Sequence, residues 1–154
     1  MSDELDRIKR QLEKAWDKQP WYGTSITGIL KNVNPSIVHK KFGPHSIIIL
    51  LLHMSMWRRY VTGKLLGDDE FKVTEELNFR EPPATPESWT KALKEFDDSQ
   101  KELMTAIGKF DSMRLHELVP AASHKYTWYT LLHGIIQHDV YHLGQIALLN
   151  KGLQ

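Results

Sequence analysis

The chain has 154 residues, a formal net charge of +1 at pH 7, 41% hydrophobic residues and 25% charged residues. That length suits a single domain over residues 1–154 with a sizeable core. The dispersed positive residues form no phosphate-tracking surface, so nucleic acid is not an expected partner. With no cysteine in the chain, disulfides, thiolate metal sites and a cysteine nucleophile are excluded.

The start, Met1-Ser2-Asp3-Glu4-Leu5, is polar and lacks an apolar signal core. The longest apolar run, Ile47 to Leu52, is too short to span a bilayer. A cytoplasmic protein with no membrane partner is the expectation.

Four long helices are predicted, with one short one. The first runs from Ser2 to about Gln19, with Leu5, Ile8, Leu12 and Ala15 at helical spacing, Ser2 or Asp3 as cap and Pro20 as stop. A short helix is predicted over Ser25 to Val33, ended by Asn34-Pro35. The second long helix is predicted from Pro44, in the first turn, to about Leu66, with Gly67 as stop. Its isoleucines make a strand the competing local reading, but the length favours helix. Val73 to Phe79 reads as a short extended piece. Thr85-Pro86-Glu87 opens the third long helix, whose seam is Trp89, Leu93, Phe96, Gln100, Leu103 and Ile107. The fourth runs from about Thr127 to Lys151, closed by Gly152. The fold class is therefore all-α, a four-helix bundle with long crossover loops over Asp68–Ala84 and Phe110–Tyr126. Those loops are expected to frame the entrance to a site.

The most informative segment lies in the fourth long helix, His138-Asp139-Val140-Tyr141-His142. Residues at i and i+4 lie about 40° apart on one helix face, so two imidazoles at that spacing can grip one ion. With His138 at 0°, Gln145 falls at about −20°, Gly134 at about −40°, Tyr141 at about −60° and Asp139 at about 100°. Asp139 thus points away from the metal face and is not expected to be the base. Gln145 and Tyr141 are placed to support the site or touch substrate. His133 falls at about −140° and is a poor ligand.

A third ligand is sought among the remaining histidines. His53 sits amid Ile49, Trp57 and Tyr60 on one apolar face, where a buried imidazole needs a partner. It lies near the middle of its helix, as His138 does of its own, so packing can bring them to one depth. His45, about 80° away on the same helix, is the next candidate. Di-iron chemistry of the ferritin type is disfavoured, because no Glu-x-x-His occurs in the chain.

Three segments carry a resemblance. His45-Ser46-Ile47 with Leu52-His53-Met54-Ser55-Met56-Trp57-Arg58, the run from Leu132 to Ile146, and Trp21-Tyr22-Gly23 with Ile29-Leu30 are similar to motifs of the DinB/YfiT-like superfamily of proposed metal-dependent enzymes. The resemblance covers essentially the whole chain. It implies an up-down-down-up four-helix bundle, often dimeric, whose metal is held by three histidines that map onto His53, His138 and His142. Members with known activity include thiol S-transferases that use bacillithiol and a mycothiol-dependent isomerase, while many have no established reaction.

The expectation is a three-histidine centre for zinc, nickel or iron with an open coordination position. The leading reading is a metal-dependent hydrolase or small-molecule thiol S-transferase, whose partner is a small-molecule substrate such as a low-molecular-weight thiol. The alternative is a non-catalytic, metal-stabilised bundle acting as a stress-related interaction protein. Small residues Gly144 and Ala147, on the face opposite the histidine pair, permit close contact within the bundle or in a homodimer.

Overall fold

The computed structural model describes residues 4–153. Among them are six α-helices: α1 (Glu4–Asp17), α2 (Ile26–Lys31), α3 (Ile47–Leu65), α4 (Glu75–Asn78), α5 (Pro86–Lys109) and α6 (Trp128–Gly152). Short 3-10 turns occupy Pro35–Ile37 and Ser112–Arg114. No β-strand forms among the described residues, and the β-type pairings are isolated bridges at Phe42–His45 and Leu118–Thr127. No helix among the described residues is long and apolar enough to cross a membrane.

The four long helices follow the apolar spacing. α1 buries Leu5, Ile8, Leu12 and Ala15; its expected cap, Ser2 or Asp3, lies outside the described residues. Ser25 caps α2, its hydroxyl accepting the Gly28 N–H. α6 is capped by Thr127 and runs to Gly152. α5 opens at Pro86 as predicted, although the Thr85 hydroxyl pairs with Ser88 Oγ, 3.1 Å away, rather than with a backbone N–H.

One helix start and one element type differ from expectation. α3 begins at Ile47 rather than at Pro44, because the Ser46 hydroxyl accepts the Ile49 N–H and so makes Ser46 the cap. Pro44 lies instead in a turn closed by the Phe42 N–H donating to the His45 carbonyl at 2.9 Å. The extended piece expected over Val73–Phe79 is a single helical turn, α4. Thr74 caps it by accepting the Leu77 N–H, and Glu75 and Glu76 follow at its positive end. Gly67, at φ +85°, ends α3 in the left-handed region as expected of a stop.

α3 is the central helix. Its first ten residues, Ile47 to Met56, are all buried, which accounts for a run with no polar face. It packs mainly against α5 and α6, while α1 closes the bundle against α6 and α5. The core has two layers. One gathers Ala15, Ile47, Leu51, Trp89, Phe96, Leu143 and Ile146. The other gathers Leu5, Leu12, Tyr60, Val61, Leu103, Ile107, Leu132 and Ile135. Chain direction follows from these two sets. α1 and α6 run from the second layer to the first, whereas α3 and α5 run from the first to the second, which is the up-down-down-up order. Parallel α3 and α5 require a crossover of the bundle's length, and residues 68–84 provide it.

Polar residues tie the helices together inside this core. Arg58 of α3, fully buried, donates to Asp139 Oδ2 of α6 at 2.7–2.8 Å and to Gln100 of α5. Its guanidinium also stacks near the rings of Trp16 and Phe96. Gln100, the polar break in the α5 seam, is there to meet Arg58. Lys64 is buried too, and its ammonium donates to the Asp69 carbonyl in the crossover between α3 and α5 and to the Ala121 carbonyl in the connection from α5 to α6. Contrary to expectation, that second connection joins antiparallel neighbours and is no crossover.

Candidate metal centre

His53 projects from the middle of α3, and His138 and His142 project from one face of α6. The antiparallel packing of those two helices brings the three imidazoles to one depth. Their ring centroids lie 4.5–4.9 Å apart. One nitrogen from each ring falls within 4.8 Å of the others, and this is the group of potential metal-binding side chains found among the described residues. His53 Nε2 and His138 Nε2 are only 2.9 Å apart. A divalent ion bonded to imidazole at about 2.0–2.1 Å fits among donors at this spacing.

The protonation of two rings follows from their partners. His53 Nδ1 lies 2.7 Å from the Asn78 carbonyl oxygen, which can only accept, so Nδ1 carries the proton and Nε2 presents a lone pair. His142 Nδ1 likewise donates to Gln145 Oε1 at 2.6 Å, leaving its Nε2 bare. Metal-ligating histidines are held in this way, with the second nitrogen anchored to an oxygen. Burial keeps both rings neutral: it is the largest cause lowering His53 to a pKa of about 4, and it lowers His142 as well.

The third ring differs. His138 Nδ1 is buried with no hydrogen-bond partner, and so is Asp139 Oδ1, 3.9 Å away. With no ion present, His138 Nε2 must carry a proton to meet the lone pair of His53. With an ion taking that lone-pair position, the proton belongs on Nδ1, facing the unpaired carboxylate oxygen. The two unpaired atoms therefore suit a metal-bound state.

The surroundings are aromatic. Phe79, just after α4, stacks flat on His53 at 4.2 Å between centroids and also on His45 at 4.4 Å. His45, the next candidate from the sequence, stays outside the cluster. Trp57 lies edge-on to His53, and its indole N–H donates to the Asn78 side chain at 3.1 Å. Asn78 thus fixes both a histidine and a wall of the site. Neither Asn78 nor Phe79 was singled out from the sequence, although Thr74-Glu75-Glu76 carries a helix-start signal that could have located their turn.

Other sequence candidates sit as follows. Gln145 supports His142, as its helical position suggested. Tyr141 is mostly exposed, with its ring edge against His142. Asp139 is not part of the ligand cluster: its Oδ2 pairs with Arg58, while its Oδ1 lies 3.9 Å from His138 Nδ1. His133 lies apart, near Glu4 and Tyr129.

An up-down-down-up bundle with three histidines gathered between its second and fourth long helices defines a class of helical proteins with a potential metal site. The model of the DinB superfamily matches residues 5–146, and the chain belongs to that superfamily. No curated protein and no solved structure matches the chain.

Proposed function

We propose that His53, His138 and His142 ligate one divalent transition metal, zinc, nickel or iron. The ion's open position then makes the protein a metal-dependent enzyme, a small-molecule thiol S-transferase or a hydrolase. The observation that carries the reading is the convergence of two bare Nε2 lone pairs on a third imidazole whose own Nδ1 has no other partner. A bound divalent ion acidifies water or a thiol that reaches its open position.

The chain's own residues leave activation of the nucleophile to the ion. Among the described residues the ligand cluster contains no carboxylate. The adjacent acid, Asp139, is buried and paired with Arg58, so it is not free to act as general base. Water or a thiol acidified by the ion needs no separate base to become a nucleophile, so both reactions are open to the site. For thiol transfer the partner is a low-molecular-weight thiol together with a small electrophile.

One feature favours a second reading, a non-catalytic metal-stabilised bundle: the trio bridges α3 and α6, so an ion there would act as a cross-link. His53→Ala, His138→Ala and His142→Ala separate the two. In the catalytic case metal content and S-transfer fall sharply while the melting temperature moves by a few degrees. In the structural case the melting temperature collapses along with the metal content. Unchanged metal stoichiometry in all three variants would remove the site altogether.

A further inference from the structure

Beside the trio lies a concavity of about 280 Å³, and His138 belongs to its wall. The other walls are Trp57 and Val61 of α3, Tyr126 at the end of the α5–α6 connection, and Leu131, Gly134 and Ile135 of α6. Every polar end among the aromatic walls is already engaged. The Trp57 N–H is on Asn78, and the Tyr126 hydroxyl lies 3.0 Å from that of Tyr60. Burial raises the Tyr126 phenol well above its usual range, so this wall stays uncharged. Thr130, also on the rim, pairs with Thr127. His138 is the wall residue that this pocket shares with the trio.

Size narrows the occupant. A cavity of about 150 Å³ holds benzene, and drug-sized ligands need roughly 300–1,000 Å³. At about 280 Å³ the space takes one ring with a short linker. Gly134 forms part of it, and a Cβ added there would meet no atom within 4 Å. The glycine therefore leaves open a volume that any larger residue would occupy.

We infer that this concavity is the specificity pocket of the site and takes an uncharged, single-ring apolar group of the substrate, with that group's donor atom directed at the trio. The inference rests on the metal reading above only for the direction of the donor atom. The pocket itself is defined by Trp57, Tyr126 and Gly134. A carboxylate or sugar has no partner here, so the charged portion of any substrate lies outside it.

The test uses two measurements on the full chain. Cobalt(II)-loaded protein is titrated with phenylmethanethiol and with mercaptosuccinate, read by thiolate-to-cobalt charge-transfer absorption. The aromatic thiol should bind roughly ten-fold or more tightly, as burial of a ring implies. Gly134→Leu should erase that preference without changing cobalt stoichiometry or helical circular dichroism, and the smaller Gly134→Ala should weaken it. Equal affinities, or a preference untouched by both variants, would overturn the inference. Metal-free protein is examined separately with benzyl alcohol by saturation-transfer NMR. A signal present in the parent and lost in Gly134→Leu supports the pocket even if no cobalt is taken up, an outcome that sinks the metal reading alone. Absence of the benzyl alcohol signal in the parent contradicts the pocket whatever the metal does.

Discussion

An imidazole offers a metal whichever nitrogen its other partner leaves bare, so the atoms behind the trio matter as much as the trio. Gln145 is the replaceable one, since the partner of His53 is a main-chain carbonyl. Gln145→Leu removes the acceptor from His142 Nδ1 and should weaken metal affinity about 10–100-fold with the fold retained. Competition with a chromogenic chelator measures this; an unchanged affinity would mean the contact does not orient the ring. At this scale the sequence was readable where the signal is local. His138, His142 and Gln145 share a face by simple helical periodicity, and His53 announces itself as a polar residue in an apolar stripe. Asn78 escaped because its role lies in a backbone carbonyl, which carries no residue-type signal.

The helices are joined by a charge pair that no local pattern reveals. Arg58 and Asp139 are 81 positions apart and each about 1% exposed at the side chain. Asp139→Ala leaves the guanidinium buried with Gln100 as its remaining polar partner and should cost about 3–5 kcal/mol, read by urea unfolding. The double variant Arg58→Met with Asp139→Leu should recover much of that loss, because two apolar side chains need no partner. A small cost for Asp139→Ala alone would contradict the pairing. The helical wheel placed Asp139 off the metal face, but its partner depends on the register between α3 and α6, which spacing within one helix cannot supply. The same limit explains α4. Val73 to Phe79 reads as extended from the sequence, whereas the Thr74 cap and the following glutamates make it a single helical turn.

Taken whole, the bundle keeps two ionisable rings neutral in its interior, and this makes its stability depend on pH. His53 has a folded pKa of about 4 and His142 is also lowered, both chiefly by burial, against about 6.5 in the unfolded chain. Above pH 6.5 neither state binds the proton and the contribution is fully present. Between pH 6.5 and about 4 the unfolded chain takes up protons that the folded one resists, so stability falls as pH falls. Urea midpoints of metal-free protein across that window should decline steadily, and bound metal should be released over the same range. A flat profile would mean the rings are not held neutral. The up-down-down-up order was legible through the family resemblance, and the two core layers confirm it from the residues themselves.

The most direct measurement is X-ray absorption spectroscopy of the metal-loaded protein. The account predicts a first shell containing three imidazole nitrogens at about 2.0–2.1 Å for zinc, reduced by one in His142→Ala. A shell of oxygens without imidazole scattering, or one identical in the parent and in His142→Ala, would contradict it.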